Sequence, residues 1–314
     1  MKKGKLPKQT LLILSVALVL VISTVLWSSG QITQGISDEM QSTLRDVAAQ
    51  NALIVRLEIT ENFNLLYSLA DEIGTSPDVL DADTVSTQLN AFVNTYHFKR
   101  IGFISPDGQV VTTDGYVQDL SSRDFFREGM QGLAGISNTL QDRIGSPEPI
   151  NVFSIPVYNQ KNDIIGVLFA TYRNQYFQEL LSIQSFNNQG FSCLLNQDCE
   201  LIACSSNVPS SMQESSLMTD FLALDARNDK PCQEMCDLLG SSASGSGHFF
   251  GDGQEYYYYA VALDNLRSDR QWFVLTVVPD QVLSARTTHV LLQVRLLILL
   301  IILIAFLGIF AYLH

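Results

Sequence analysis

Two uncharged, apolar runs near the ends of the chain limit what this sequence of 314 residues can fold into. They extend from Leu11 to Trp27 and from Leu296 to Leu313. As a helix, the second run is about 27 Å long, which matches the hydrocarbon core of a bilayer. The first run reaches a similar length when Thr10 and the two serines after Trp27 are included. Both runs therefore predict transmembrane helices.

A cleaved signal peptide is the alternative for the first run, because a lysine-rich start suits a leader as well as an anchor. The run is longer than the apolar part of a usual signal peptide, however. The bulky Trp27 also stands where a cleavage site needs a small residue. We therefore favour an anchor that stays in the protein.

The distribution of charge predicts the orientation of the chain. Four lysines, at positions 2, 3, 5 and 8, precede the first run and place the N-terminus in the cytoplasm. All 32 acidic residues lie between the runs, with only 15 of the 19 Lys and Arg residues. We expect a two-pass protein of the cell (plasma) membrane, with residues of about 30–290 extracytoplasmic and both termini cytoplasmic. Because the sequence ends directly after the second run, we expect it to be the front portion of a longer protein.

The cysteines predict disulfides in the outer region. All five lie in its second half: Cys193, Cys199, Cys204, Cys232 and Cys236. An oxidising location favours disulfide bonds among them, and the odd number leaves at least one cysteine free or joined to another chain. The stretch "CQEMC" has three residues between its cysteines where zinc sites usually have two, and no histidine cluster accompanies it. We therefore predict structural disulfides and no metal site.

Residues 30–74 carry the pattern of one long helix. Proline is absent, and apolar residues recur at spacings of three and four, which marks a helix with one apolar stripe. The stripe is expected at Ile32, Ile36, Met40, Leu44, Val47, Ile54, Leu57, Phe63, Leu66 and Leu69. A helix of roughly 60 Å buries little by itself. We expect it to lie along the rest of the outer region and to pair side by side in a homodimer.

The remaining outer residues alternate between helices and antiparallel hairpins, which predicts an α+β fold. We expect helices over 83–96 and 174–186, hairpins over 99–115, 151–172 and 190–206, and three further strands within 247–279. The order of elements repeats, which predicts two stacked antiparallel-sheet modules on the long helix. The predicted organisation is a cytoplasmic N-terminus (1–9), a first transmembrane helix (10–29), a stalk helix (30–74), a membrane-distal module (75–173), a membrane-proximal module (174–283), and a linker with the second transmembrane helix (284–314).

Four stretches carry a resemblance to a known family. Three of them, "IGFISPDGQVVTTDG", "DLSSRDFFREGMQG" and "FSIPVYNQKNDIIGVLFATY", lie between Ile101 and Tyr172. The fourth consists of "GHFFGDGQEYYYYAVAL" and "WFVLTVVPDQVL", within 247–283. With the predicted order of elements, they resemble the double Cache domain of bacterial transmembrane receptors, which is related to PAS-type sheets. The resemblance implies that a small ligand binds in the membrane-distal module, between its sheet and the loops and helix that cover it.

The resemblance also implies a ligand site around the start of a short helix at "SSRDFFREGMQG". We expect Ser121 or Ser122 to cap this helix, with Arg123 ready to meet a carboxylate. The predicted ligand-binding residues are Arg123, Phe125, Phe126, Arg143, Phe153 and Thr171. Alternatively, the phenylalanines fill the core and Arg123 is a solvated residue at the helix start.

The resemblance further bears on the class of ligand. Some family members bind the ammonium group of an amino acid through acidic residues that follow the arginine in the chain. The corresponding positions fall here near Gln141 and Arg143 and at Ala170 and Thr171, and the expected acidic residues are absent there. We therefore favour a small anionic or neutral metabolite over a plain amino acid.

The function implied is extracytoplasmic small-molecule sensing with transmembrane signalling. The output domain, absent from this sequence, would be a diguanylate cyclase, a histidine kinase or a chemotaxis signalling domain. The sequence lacks the common hydrolase, metalloprotease and phosphate-loop motifs, so we expect neither an enzyme nor a cofactor in these residues. The acidic outer region argues against nucleic acid as a partner. The alternatives are a membrane-anchored structural or adhesion ectodomain without a ligand pocket and an extracytoplasmic enzyme, and a cavity of several hundred cubic ångströms beside Arg123 would favour sensing.

Overall fold

A computed structural model describes residues 8–75, 82–144, 147–182, 186–213, 215–264, 271–282 and parts of 292–301. For residues 8–40 and 82–88 it describes the backbone and, of the side chains, those of Ser23 and Glu39. Among these residues, no helix combines the length and the apolar character needed to cross a bilayer. Most side chains of the first predicted transmembrane helix and most of segment 284–314 lie outside the described residues.

The chain divides into two compact units, one made of residues 1–43 and 280–314 and the other of Leu44–Pro279. The second unit holds both sheets and the candidate site. The helices are α1 Lys8–Thr75, α2 Ala82–Thr95, α3 Asp124–Met130, α4 Asn174–Leu181, α5 Ser210–Gln213, α6 Met218–Leu222 and α7 Asp229–Gly240. Short 3-10 turns lie at Phe186–Asn188 and Ala226–Asn228.

The predicted long N-terminal helix is confirmed. Helix α2 agrees with its prediction to within a residue at each end, whereas α4 ends at Leu181 instead of Phe186. Phe186 has a φ of 53° and begins a separate 3-10 turn, so it does not continue α4. Helix α7 was not predicted.

The first sheet is antiparallel and is built around two long central strands. Its strands are β1 Arg100–Ile104, β2 Gln109–Thr112, β3 Val117–Asp119, β4 Gly135–Ile136, β5 Leu140–Gln141, β6 Pro149–Tyr158 and β7 Ile164–Arg173. Their order is β3-β2-β1-β7-β6-β4, and β5 also pairs with β6. The two predicted hairpins are β1–β2 and β6–β7, so both are confirmed.

The second sheet is also antiparallel, and the sequence predicted all five of its strands. They are β8 Phe191–Asn196, β9 Leu201–Cys204, β10 Gly245–Gly251, β11 Gln254–Leu263 and β12 Trp272–Pro279. Their order is β10-β11-β12-β8-β9. Side chains alternate along β11, with Tyr256 and Tyr258 buried and Tyr257 and Tyr259 half-buried, as expected for a strand with one face in the core.

The buried stripe of α1 differs from the predicted one in its middle part. Its buried apolar residues include Leu44, Ala48, Ala52, Val55, Ile59, Phe63, Leu66, Ala70 and Ile73, at spacings of three and four throughout. Leu57, which we predicted in the stripe, is 59% exposed. The prediction was wrong there because it passed over the alanines, whose small side chains keep the stripe continuous.

One core joins α1, α2 and α4 to a face of each sheet. Phe63 of α1 packs on Phe153 of the first sheet, with 5.2 Å between ring centroids. On the second sheet, Asn51 of α1 donates hydrogen bonds of 3.1 Å to the hydroxyls of Ser192 and Thr276, all three residues being buried. The other face of the first sheet packs against α3, and that of the second sheet against α5, α6 and α7.

Candidate functional site

Three neighbouring strands of the first sheet bring the polar residues of the candidate site together. Arg100 on β1 lies opposite Thr171 on β7, which in turn lies opposite Val152 on β6. Directly opposed residues in an antiparallel sheet project to the same face. This face of the sheet, which carries Val152, Phe169 and Thr171 and packs against α3, is called the site face below.

The site face and α3 enclose a small cavity. It is lined by the apolar residues Leu120, Phe125, Leu140, Ile144, Ile150, Val152 and Phe169 and by the polar residues Arg100, Arg123, Asp142, Arg143 and Thr171. The cavity volume is about 20 Å³, which is room for about one water molecule. Three guanidinium groups and one carboxylate border this space, so the cavity has an excess of positive charge.

Gly102 on β1 shapes the floor of the cavity. A Cβ atom at this position would lie 2.6 Å from Cε1 of Phe169, its partner across the strands. The ring of Phe169 can therefore lie over β1 only because residue 102 has no side chain. From there it packs on Phe125 of α3, with 5.7 Å between the centroids.

Arg100 is a buried cation whose hydrogen bonds are all made within the protein. Its Nη1 donates to both carboxylate oxygens of Asp142, at 2.8 and 2.7 Å. Its Nε donates to Oδ2 of Asp114 at 2.8 Å, and its Nη2 to the backbone carbonyl of Ile144 at 2.7 Å. Four of the five N–H groups of Arg100 are therefore used within the protein, so its guanidinium has at most one donor left for a ligand unless Asp142 moves.

Asp142 is itself saturated with donors. Besides Arg100, it accepts hydrogen bonds from Nζ of Lys99 and from the backbone N–H of Ile144. Burial alone would raise the pKa of Asp142, but the hydrogen bonds from Lys99, Ile144 and Arg100 outweigh it, so the pKa lies below its ordinary value. Lys99 also pairs with Glu148, which in turn accepts from Arg173.

Arg123 and Arg143 differ from Arg100 in donating to neutral oxygen atoms. Arg123 donates to the backbone carbonyl of Gln141 at 3.0 Å, and Arg143 to the hydroxyl of Ser122 at 3.5 Å. In the described part of the chain, neither guanidinium forms an ion pair. Burial lowers the pKa of Arg123, and repulsion by the positive charge of Arg143 lowers it further, whereas Asp142 and Asp124 act in the opposite direction. An anion between them would relieve this repulsion.

Four of the six predicted site residues line the cavity: Arg123, Phe125, Arg143 and Thr171. Phe126 is buried among the apolar residues between α3 and the site face. Phe153 lies on the opposite face of the sheet, against Phe63 of α1, because its neighbour Val152 takes the cavity side. The predicted serine cap was wrong, since Arg123 is the N-cap residue of α3 and no side chain caps the helix.

The prediction missed Arg100, Asp142 and Gly102. It looked for acids near Gln141 and Arg143 and passed over Asp142, which lies between them and is buried. A signal was available in "KRIGF", where two basic residues run directly into a buried strand and therefore need acidic partners. Nothing in the sequence showed that Asp142 would be the partner.

The architecture defines the class of protein as a double, PAS-like α+β domain with a long N-terminal helix. A family model described as a Cache domain, dCache_1, matches residues 24–287. The chain therefore belongs to the Cache domain family, which confirms the resemblance seen in the sequence. No curated protein matches the sequence.

Solved structures of bacterial chemoreceptor domains share this fold. The ligand-binding domain of Pseudomonas fluorescens chemoreceptor CtaA, in complex with L-serine, has a TM-score of 0.62 and 12% identity, covering 78% of this chain and 99% of its own. That of the Pseudomonas aeruginosa amino acid chemoreceptor PctC, in complex with GABA, has a TM-score of 0.59 and 16% identity, covering 76% and 99%. The periplasmic sensory domain of Campylobacter jejuni Tlp1 has a TM-score of 0.59 and 15% identity, covering 79% and 98%.

Proposed function

We propose that this chain is the extracytoplasmic sensor part of a bacterial transmembrane receptor, and that it binds a small carboxylate at the cavity under α3. The observation that carries the proposal is the pair Arg123 and Arg143. These two neighbouring guanidinium groups border an apolar cavity and lack an acidic partner in the described residues. A guanidinium binds a carboxylate with two parallel hydrogen bonds, and the surrounding apolar residues suit the carbon skeleton of a metabolite.

The charges around the cavity favour a ligand without an ammonium group. The structures of CtaA and PctC are named as complexes with L-serine and GABA, and each of these ligands carries an ammonium group. Here Asp142 is the acidic residue of the cavity, and its oxygens already accept from Lys99, Arg100 and a backbone N–H. An ammonium group would face three guanidinium groups and a saturated carboxylate. We therefore favour an anionic metabolite, or a neutral one, over a plain amino acid.

Binding requires the lining of the cavity to move, because a volume of about 20 Å³ holds no metabolite. Arg143 is exposed and Arg123 is half-buried, and neither is held in an ion pair by a residue that the structure describes, so both can turn outward at little cost. A ligand that binds the opened arrangement more tightly would shift the population toward it. That shift is the signal that a receptor of this kind would pass on.

We propose the same membrane arrangement and assembly that the sequence predicts. Transmembrane helices over 10–29 and within 284–314 would anchor the sensor, with the first sheet in the membrane-distal module and the second in the membrane-proximal one. Leu53 and Leu57, one turn apart on α1, are 49% and 59% exposed. An exposed pair of leucines on this helix supports a homodimer in which two copies of α1 lie side by side.

One observation favours the alternative of a structural or adhesion ectodomain. The cavity is far smaller than the several hundred cubic ångströms that a preformed ligand pocket would have. A chain of that kind would keep the cavity closed and would bind no small carboxylate, which makes ligand binding the deciding measurement.

The test is a thermal-shift and calorimetric screen of the full chain in detergent micelles. Small mono- and dicarboxylates are compared with α-amino acids and with neutral analogues of the same size. We expect carboxylates to raise Tm, and Arg123→Ala to weaken their binding roughly 10- to 150-fold, the cost of losing a charge-assisted hydrogen bond. Arg127→Ala is the matched control, because Arg127 lies on the same helix but is exposed and pairs with Asp124.

Three results would contradict the proposal. Failure of every compound to raise Tm would favour the structural ectodomain. Tightest binding by an α-amino acid would overturn the ligand class, and binding that survives Arg123→Ala would overturn the site.

A further inference from the structure

Three cysteine side chains meet between the second sheet and α7. Cys199 lies in the turn between β8 and β9, whereas Cys232 and Cys236 lie one turn apart on α7. The sulfur atoms of Cys199 and Cys236 are 3.3 Å apart. Cys199 is buried, and the two cysteines of α7 are half-buried. A disulfide already joins Cys193 of β8 to Cys204 of β9, so the hairpin that carries Cys199 is cross-linked at its other end.

The backbone holds Cys199 and Cys236 in place to face each other. The N–H of Cys199 donates to the carbonyl of Asn196 at 3.1 Å, and its own carbonyl accepts from the N–H of Met218 at 2.8 Å. Cys236 follows Met235, which is fully buried and fixes the rotation of α7 against the sheet. A cross-link between two positions that are already fixed costs little further ordering.

The surroundings of the cluster keep the thiols of Cys199 and Cys232 neutral. Burial raises the pKa of Cys199 to about 12, and the neighbouring Cys236, Cys232 and Asp198 add to the rise. Burial also raises the pKa of Cys232, with contributions from Cys236 and Asp229. Among the described residues, no group of three or more His, Cys, Asp or Glu side chains is arranged to hold a metal ion. The cluster is therefore poor as a set of thiolate ligands, whereas the two facing thiols of Cys199 and Cys236 can still be oxidised together.

We propose that Cys199 and Cys236 form a second disulfide, which fastens α7 to the turn between β8 and β9 and leaves Cys232 as the one free thiol of the chain. With Cys193–Cys204, this bond would cross-link the β8–β9 hairpin both internally and to the helix that covers it. The five cysteines would then form two disulfide bonds and leave one half-buried thiol, which is open to chemical modification.

The bond forms by thiol–disulfide exchange with a low-molecular-weight disulfide, written RS–SR. The half-buried Cys236 loses its proton and attacks one sulfur of the oxidant, which releases one RS⁻ and leaves a mixed disulfide on Cys236. Cys199 then loses its proton and attacks the Cys236 sulfur, which releases the second RS⁻. The two protein thiols lose two electrons, and the oxidant gains them as two thiols. The raised pKa of Cys199 makes the second attack slow at neutral pH and faster as pH rises.

The test is thiol counting combined with peptide mapping of the full chain. The protein is equilibrated with excess oxidised glutathione at pH 8.5, unfolded, alkylated and digested without reductant. We expect a cross-linked peptide containing Cys199 and Cys236, and an alkyl group or a glutathione adduct on Cys232 alone. Cys232→Ser is the matched control, and it should leave no modifiable thiol while both cross-links remain.

The proposal is overturned if Cys199 or Cys236 is recovered with an alkyl group or a glutathione adduct. It is equally overturned if the cross-link joins Cys232 to either of the other two. Cys199→Ser and Cys236→Ser should each free the other partner, so that one further thiol besides Cys232 is labelled. None of these outcomes depends on ligand binding at the first sheet.

Discussion

Replacing Asp142 by leucine should destabilise the protein more than replacing Asp142 and Arg100 together. Both side chains are buried, and each is the other's main partner in the candidate site. Asp142→Leu leaves the Arg100 guanidinium with Asp114 and one carbonyl, while Lys99 keeps only Glu148. Breaking a buried ion pair from one side costs about 3–5 kcal/mol, because the remaining charge is left without its partner.

The double variant Arg100→Met with Asp142→Leu removes both charges at once. Asp114, the other acidic partner of Arg100, is at the protein surface and can turn to water, and Lys99 still pairs with Glu148. No buried charge is then left unpaired, and apolar side chains fill the space. Such replacements are often neutral or stabilising. We therefore expect the double variant to be more stable than either single variant, with a coupling energy above about 2 kcal/mol.

Thermal and urea unfolding of the full chain in detergent measure these differences. For a unit of this size, about 3–5 kcal/mol corresponds to a fall in Tm of roughly 6–20 °C. Strictly additive effects of the two substitutions would refute the reasoning, because they would show that Arg100 and Asp142 do not stabilise each other. An unchanged Tm for Asp142→Leu would refute the burial of the pair.

Acid unfolding gives a second measure of the same pair. The pKa of Asp142 is below its ordinary value in the folded protein, so its ionised form stabilises the fold above the pKa of the unfolded chain. This contribution is lost as pH falls below about 4 and through the folded pKa. The loss should be present in the wild type and absent from the double variant.

Two further predictions concern α1. Asn51→Leu should cost about 1–3 kcal/mol in urea unfolding, because it removes two buried hydrogen bonds to hydroxyls of β8 and β12, whereas the exposed Asn64→Leu on the same helix should be neutral. Leu53→Lys combined with Leu57→Lys should convert a dimer to monomer in sedimentation experiments while Tm of the monomer is kept. Leu224→Lys, which replaces an exposed leucine away from α1, should leave the dimer intact, and a loss of dimer there would point to another interface.

The strands were predictable because their turns are encoded locally. "SPDGQ" and "NQKND" join runs of apolar residues, and their Pro, Gly, Asn and Asp residues favour tight turns. The order of hairpins then indicated two sheets. Helix α7 was missed because it has few apolar residues, such as Met235 and Leu239, so its sequence shows little helical periodicity.

The site was only partly predictable because burial of charge depends on the whole fold. Arg123 and Phe125 stand out in a short motif, and the structure places both at the cavity. The pairing of Arg100 with Asp142 joins residues 42 positions apart, on β1 and after β5, and no local pattern specifies it. Phe153 was misplaced because a strand buried on both faces shows no alternation of polar and apolar residues from which its facing could be read.

Strands β6 and β7 separate the candidate site from the core shared with the second sheet. One face of the two strands borders the site, and the opposite face packs in that core. Thr171 borders the cavity, and the next residue, Tyr172, projects to the opposite face. There its ring lies 6.0 Å from that of Phe177 on α4, which lies 5.8 Å from that of Trp272 on the second sheet. A displacement of β7 at the cavity therefore meets close-packed aromatic rings, which resist small adjustments because protein interiors contain few voids. Contact alone does not establish coupling, since a ligand shifts an equilibrium only by the difference in its affinity for two arrangements. The packing between Thr171 and Trp272 nevertheless defines where a second arrangement would have to differ from this one.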